Sequence, residues 1–435
     1  MDTTSISRRR FLKLAGSTVL SLTTGCTFSP ASVNQTGNLF GKASSSVGDT
    51  SLDIRALRQI ITADSRTSRT IMWNSASEQK NAAVAWRAEG SDRSARVPAS
   101  SALYTDDGQH IYLHSATLKG LPPGVPCEYQ VVAGDKGTPW HPLPTDNGGP
   151  FKALIFPDSQ CSDGYVTWRE VAQAAAQQHP DAAFLISMGD LVDNGEDHNQ
   201  WDQWFDGLAG IADRLPIAPI MGNHETYTLD WRVRWPKAYL ALFDLPENGS
   251  PNFNRHYYSY DYGDVHFTVL NTQWHELNDL TPGLKTEQME WLPKDLAATN
   301  KKWKVVLLHR DVLQYGIHGR PERPSGIDER VGRAFMPLFD EGHVDAVLTA
   351  HLHTYRNRGH IANFTAGETG PLYLLTGVAG DVRYPNLWVD HAFDRVVAPQ
   401  PETDNYLTLE GSPDALIFRC FLPEGRLIDT VTLKK

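Results

Sequence analysis

From Leu52 to about Pro150 the chain runs in short stretches that alternate polar and apolar residues, with no helical period. RTIMWN (Arg69 to Asn74), AAVAWRAE (Ala82 to Glu89), HIYLHSATL (His110 to Leu118) and CEYQVVAG (Cys127 to Gly134) are separated by clusters of Gly, Pro, Ser and Asp. Period-two alternation between such breakers predicts half-buried strands, and their spacing predicts a β-sandwich of roughly 100 residues. At Phe151 the texture changes. KALIFPD, AAFLISMGD, PIAPIMGNHE, KWKVVLLHR and DAVLTAHLH are each apolar for several residues and then end in polar ones. Continuous apolar runs of this length predict strands covered on both faces, as in an α/β layer fold. Helical stretches at Thr167 to Gln178 and Thr286 to Thr299 fall between them, and HYYSYDYGDVHFTVLNT (His256 to Thr272) reads as a hairpin. In such folds ligands gather outside the carboxyl ends of the strands.

The polar tails carry the candidate chemistry. In order they are Asp158, then GDLVDNG (Gly189 to Gly195), GNHE (Gly222 to Glu225), His309, and AHLH (Ala350 to His353). Singly, each pattern is common, and a buried Asp or His at a strand end is more often a cap than a ligand. Five in this order, each at a strand end, point to a metal site. Carboxylates bridge cations, an Asn offers a neutral carbonyl oxygen, and imidazoles suit zinc, iron and manganese.

The series resembles the calcineurin-like metallophosphoesterases, most closely the purple acid phosphatases, over about Leu52 to the C-terminus. LPPG (Leu121 to Gly124) ahead of Tyr129 is similar to the fibronectin type III corner, on which the N-terminal module of that branch is built. The resemblance implies an N-terminal all-β sandwich (51–149) followed by a four-layer α/β metallophosphoesterase domain (150–435) with two β-sheets flanked by helices. It implies two ions, of iron, manganese or zinc: one held by Asp158, Asp190 and His353, the other by Asp190, Asn223, His309 and His351. It further implies hydrolysis of phosphate monoesters by attack of a metal-bridging hydroxide on phosphorus, with a phosphodiesterase or nucleotide pyrophosphatase as the alternative at the same ligands. His224 takes the place of the proton donor to the leaving group. His318 and Arg310 fall where substrate contacts stand, and surface roles compete for both.

Three positions depart from the family pattern. Gln160 replaces the usual histidine two residues after Asp158, and either ligates through its amide oxygen or hydrogen-bonds behind the ligands. Asp193 stands where purple acid phosphatases carry a metal-bound tyrosine; in the protein-phosphatase branch an aspartate there orients the histidine of GNHE, here His224. Ala350 replaces a glycine.

The N-terminus changes the compartment. SRRRFLK (Ser7 to Lys13), followed by a short apolar run from Leu14 to Thr24, resembles the twin-arginine export signal. That implies a signal peptide over 1–26, a linker over 27–50, passage through the twin-arginine translocation machinery, and a periplasmic or extracellular protein. Gly25-Cys26 either is a lipoprotein processing site, giving a membrane-anchored form, or merely ends the run; Thr23 departs from the lipoprotein pattern. The net charge of −11, without polybasic runs, argues against coating nucleic acid but not against a small phosphorylated substrate at a metal pair. Four cysteines are too few for a disulfide scaffold, and a non-catalytic exported binding module is the remaining class.

Overall fold

Runs such as FKALIF and WKVVLL have no polar face, so they are stable only with cover on both sides. The computed structural model, which describes residues 52–277, 279–399 and 403–435, gives them that cover. The export motif, the linker and Cys26 lie outside the described residues.

The N-terminal strands are β1 (Arg55–Ile60), β2 (Ser68–Ser75), β3 (Ala82–Ala88), β4 (Ala95–Pro98), β5 (Ser100–Asp106), β6 (Gln109–Lys119) and β7 (Cys127–Ala133). β1, β2, β6 and β5 form one layer, and β4, β3 and β7 the other. Between them lies a small core of Ile71, Trp73, Val84, Leu118, Tyr129 and Val131, the inward residues of the alternating pattern. The sandwich is not closed off from the larger domain. β1 pairs in parallel with a strand far along the chain, Gln59 opposite Pro216 and Ile60 opposite Ile217. Tyr129, expected to tether a corner within the sandwich, donates its hydroxyl to the Asp213 carbonyl at 2.8 Å. Gln59 reaches the same carbonyl, and His141 the Asp213 side chain.

The remaining strands build two sheets face to face. β8 (Phe151–Phe156), β9 (Phe184–Ser187) and β10 (Pro216–Pro219) run parallel and extend the β1 layer. The hairpin β11 (Tyr258–Tyr262) and β12 (Val265–Leu270) opens the second sheet, continued by β13 (Trp303–Leu308), β14 (Ala346–Thr349), β15 (Tyr355–Ala362) and β16 (Leu372–Thr376). A C-terminal meander, β17 (Tyr406–Gly411), β18 (Ala415–Phe421) and β19 (Leu427–Lys434), closes the first sheet against β8. Rings fill the space between the sheets, with Phe184 4.5 Å from Tyr262 and 5.8 Å from Phe267 between centroids.

Helices cover the outer faces. α1 (Val166–Gln178) and α2 (His198–Gly207) lie on the first sheet, with Trp168 and Trp204 stacked at 5.7 Å and 8°. A side chain at Gly207 would strike the Trp168 ring at 2.6 Å, so only glycine permits this approach. α3 (Leu284–Ala298) and α4 (Gly332–Glu341) pack on the second sheet through Leu292, Leu296, Phe335 and Phe339. The expected four layers, helix, sheet, sheet and helix, are therefore present. Cys127, Cys161 and Cys420 are buried free thiols.

Candidate metal centre

Five of the parallel strands each deliver a polar tail to the same edge of the facing sheets. β8 ends before Asp158, β9 before Gly189-Asp190 and β10 before Gly222-Asn223; from the second sheet, β13 ends before His309 and β14 before Ala350–His353. The tails are laced by main chain. Ser159 and Gln160 donate to the Asp190 carbonyl, Ile220 to Ser187, and Ala350 to His309. Two glycines make the approach possible. A Cβ on Gly189 would lie 2.6 Å from His309 Nδ1, and one on Gly222 would lie 2.2 Å from Asp190 N. Asp190, His351 and His353 adopt left-handed backbone at φ 48°, 77° and 55°, unusual for residues with a Cβ and often found where function requires strain. Ala350 is not among the positive-φ positions, so replacement of the family glycine there carries no backbone cost.

Two groups of potential ligands share Asp190. One is Asp190, His309 and His351; the other is Asp158, Asp190 and His353; within each, the ligand atoms lie within 4.8 Å of one another. His309 Nδ1 lies 2.9 Å from the Met188 carbonyl, and His353 Nδ1 hydrogen-bonds the Val382 carbonyl. A carbonyl only accepts, so both rings carry a proton on Nδ1 and turn Nε2 inward. Both Nε2 atoms face carboxyl groups, His309 Nε2 at 3.1 Å from Asp190 Oδ2 and His353 Nε2 at 3.5 Å from Asp158 Oδ1. Burial opposes charge on His309, but Asp190 and Asp158 outweigh it and push that imidazole up to about 9. A proton on Nε2 therefore fills the 3.1 Å contact with Asp190, and a cation bound there takes the place of that proton. Burial, together with the charge on Asp190, pushes the Asp158 carboxyl up, whereas His309 and His224 outweigh burial and hold Asp190 well down. Burial likewise pushes His353 down, to about 4, so its nitrogen resists a proton and remains a metal donor. The residues fit a pair of metal ions, and the carbonyl-fixed imidazoles are the outer support such sites use.

The structure thus brings Asp158, Asp190, His309, His351 and His353 together. Asn223 is fully buried on the adjoining loop, next to His224, whose main-chain N–H donates to Asp190 Oδ1 at 2.8 Å. Gln160 is buried, and its Oε1 has no hydrogen-bond partner among the described residues, leaving that oxygen available to a cation. His224 Nε2 lies 3.9 Å from Asp190 Oδ2. Asp193 is close to His224 as expected, but its shorter contact is the main-chain carbonyl, 2.6 Å from Nδ1; its carboxylate lies at 3.5 Å. Arg310 stands at the rim with Nη1 3.4 Å from His351 Nε2, and its head is engaged by Glu276 and Gln273. His318 is exposed, joined by its main chain to Leu387, on the stretch whose Val382 and Tyr384 contact His353.

One functional residue has no signature in the sequence beyond its place in GNHE. The Glu225 carboxylate is buried and accepts the N–H groups of Asp190 at 3.0 Å, Leu191 at 2.8 Å and Gly222 at 2.6 Å. It clasps the loop carrying the shared aspartate to the loop carrying Asn223.

Comparison with known proteins gives two family matches: Calcineurin-like phosphoesterase over residues 141–355, and Purple acid Phosphatase, N-terminal domain over residues 56–145. The chain is similar to Probable inactive purple acid phosphatase 9 of Arabidopsis thaliana, 27% identical over 71% of this chain and 53% of that protein. It is similar to Purple acid phosphatase 15 of the same plant, 28% identical over 47% of this chain and 36% of that protein. It therefore spans about half or less of the length of these relatives. In fold it is similar to purple acid phosphatase PPD1 from yellow lupin (Lupinus luteus) seeds, with a TM-score of 0.72 at 18% identity, covering 88% of this chain and 74% of that one.

Proposed function

Since the chain belongs to the calcineurin-like phosphoesterases and carries a purple acid phosphatase N-terminal domain, a family of metal-dependent phosphoric ester hydrolases, we propose that it hydrolyses phosphate monoesters at a two-metal site. The observation that carries this reading is the pair of buried ligand groups meeting at Asp190, with His309 and His353 each turning Nε2 toward a carboxyl group. One relative has the word inactive in its name; here the Asp and His members of both ligand groups are present, with Asp193 where the family carries a metal-bound tyrosine.

Asp158, Gln160, Asp190 and His353 would hold one ion, and Asp190, Asn223, His309 and His351 the other. A bound pair supplies Lewis-acid charge for the phosphoryl oxygens and acidifies water to give a nucleophile. His224 supplies the proton that the leaving oxygen takes up. With Nδ1 committed to the Asp193 carbonyl, Nε2 is the nitrogen that exchanges it. Arg310, at the rim, takes a phosphoryl oxygen once the ester displaces part of its hold on Glu276 and Gln273; His318 contacts the remainder of the substrate.

Export by the twin-arginine route belongs to the same reading, because SRRRFLK serves proteins moved after folding, often with metal bound. The protein then works in the periplasm or outside the cell, with a lipid anchor if Cys26 is processed. Fractionation of cells expressing the Arg8→Lys/Arg9→Lys and Cys26→Ala variants tests export and anchoring separately.

The activity is tested on protein purified without chelators, by metal content and by hydrolysis of 4-nitrophenyl phosphate against bis(4-nitrophenyl) phosphate. Two ions per chain, faster monoester turnover and its loss in His309→Ala are expected. A faster diester moves the reading to a phosphodiesterase, and absence of both metal and turnover overturns it.

A further inference from the structure

Directly after GNHE the chain enters a loop, Thr226 to Trp235, that exposes an unusual amount of apolar surface. Leu229 is 51% exposed, Trp231 36%, Val233 41% and Trp235 42%. Large side chains this open are ordinary when scattered. Four at alternate positions, beside a buried ligand cluster, are not scattered.

The loop is held in place rather than loosely draped. Asn194 Nδ2 donates to the Thr228 carbonyl, Glu196 Oε2 accepts Leu229 N–H at 2.8 Å, and Glu196 N–H donates to the Tyr227 carbonyl. Arg234 reaches Asp106 at 2.6 Å and Glu196 at 3.1 Å. Asn194 and Glu196 belong to the stretch that carries Asp190 and Asp193, and Asp106 ends β5, so the loop is fixed relative to the metal ligands. Trp231 sits at the turn with φ 64°, where glycine or asparagine is the ordinary choice. A bulky residue persists there only when its surroundings dictate the conformation, and such outliers gather at ligand sites.

The ring so placed meets His224. Trp231 and His224 lie 5.8 Å apart between centroids at 90°, and Tyr227 lies 5.6 Å from His224 and 6.0 Å from Trp231. Tyr227 donates its hydroxyl to Glu276 Oε2 at 2.6 Å, while Arg310 binds the other oxygen of the same carboxylate. The proton donor, the phosphate-side cation and the two rings therefore share one rim.

We propose that Trp231, backed by Tyr227, is a wall for a planar aromatic leaving group, so that the site selects phosphate esters of aryl or nucleobase-bearing alcohols over plain alkyl or sugar phosphates. This rests on the phosphoesterase reading above, with His224 on the leaving-group side. A leaving group that takes its proton from His224 lies against whatever flanks that ring, and the flank is aromatic and open to solvent. Ring stacking favours an aromatic partner over an aliphatic one of similar bulk.

Benzyl phosphate and ethyl phosphate both release a primary alcohol, so their difference in kcat/KM reads the ring rather than leaving-group acidity. The wild type should favour benzyl phosphate about tenfold. Trp231→Leu should bring that ratio to within about twofold, and Trp231→Phe should retain most of it. Calorimetry on the metal-loaded protein with phenylphosphonate and methylphosphonate should show the same preference, with the same loss in Trp231→Leu, and needs no turnover. Adenosine 5′-monophosphate against ribose 5-phosphate then separates a nucleobase from a simple aryl group. An unchanged benzyl-to-ethyl ratio in Trp231→Leu, or equal losses on both esters, overturns the wall, the second outcome making Trp231 only a prop for His224. Wild-type protein that hydrolyses neither ester yet prefers phenylphosphonate overturns the hydrolase reading and leaves the wall standing. Equal turnover of both esters does the reverse.

Discussion

Replacing Glu225 by glutamine keeps the shape of the clasp and removes half of its accepting power. In the native loop Oε2 takes the Asp190 and Gly222 N–H groups and Oε1 takes Leu191. The single amide oxygen of glutamine is best used where two donors converge, so its NH₂ group is left facing the Leu191 N–H across a contact 2.8 Å long. Leaving a buried donor without its acceptor costs roughly 1–3 kcal/mol, and the Leu191 N–H cannot reach water because that residue is fully buried. Taking about 2 kcal/mol, and about 1.4 kcal/mol per factor of ten, local opening of the Asp190–Leu191 segment becomes about 30-fold more frequent. Amide hydrogen exchange at Leu191 reads that number directly. Because the same segment carries the aspartate common to both ligand groups, metal affinity measured by chelator competition should fall 10- to 100-fold, the usual effect of losing an outer support. Glu225→Ala, which strips all three bonds, should fall further on both measures. If Glu225→Gln exchanges Leu191 at the native rate and holds metal as tightly as wild type, the clasp does not position the site.

Other parts of the fold give three further outcomes. His266 receives Asp261 on Nδ1 at 2.7 Å and Asp295 on Nε2 at 3.0 Å; burial opposes the charge, but both carboxylates overcome it and push the imidazolium up to about 9. Its contribution is therefore complete below about pH 6.5 and lost as pH rises through 9, about 3 kcal/mol from that gap at roughly 1.4 kcal/mol per pH unit; urea midpoints should decline over this window in the wild type and not in His266→Gln, and parallel profiles refute it. Gly222→Ala sets a methyl 2.2 Å from Asp190 N and should abolish metal binding, whereas Gly367→Ala, with nothing within 4 Å, should match the wild type in the same titration. Arg358→Met leaves Asp311 buried beside Thr349 without its cation and should cost about 3–5 kcal/mol in urea unfolding; Arg358→Met/Asp311→Asn should recover part of that, and equal stabilities of the two variants contradict the pairing.

The sequence makes the strand ends readable because burial on both faces leaves few polar residues in a strand until the chain leaves the sheet. Asp158, Asp190, Asn223, His309 and His351 are conspicuous for that reason. Alternation tells which face a residue takes and not which strand lies alongside. Hence the pairing of Arg55–Ile60 with Pro216–Pro219, and of Phe151–Phe156 with Tyr406–Gly411, becomes visible only in the folded chain. The Tyr129 hydroxyl likewise goes to the Asp213 carbonyl, in the turn ahead of Pro216–Pro219, rather than to a corner of its own sandwich, a long-range partner that no local pattern marks. Hydrogen bonds to main chain are equally silent in a sequence. A reading of Asp193 as a carboxylate partner of His224 follows from its type, yet the shorter contact is made by the carbonyl that every residue carries.

The same silence covers the feature on which the metal reading turns. Nothing in the letters of Met188 or Val382 marks them as functional, yet their carbonyls fix the tautomers of His309 and His353 and so decide which nitrogen faces inward. With Nδ1 committed to a carbonyl, Nε2 of each ring faces the buried carboxyl groups of Asp190 and Asp158, at a site where three non-glycine residues already carry left-handed strain of about 1–3 kcal/mol each. Only a fold stabilised elsewhere tolerates that. The stacked Trp168 and Trp204 supply such support on one side, with Trp204 Nε1 donating to Ser159 Oγ at 3.0 Å, next to Asp158. On the other side the buried Arg358, paired with Asp311 two residues beyond His309, also reaches Thr349 Oγ, just ahead of the AHLH loop. Strained backbone and buried titratable groups are thus concentrated where a divalent cation would take the place of the protons they hold, and well-satisfied contacts surround them on both sheets.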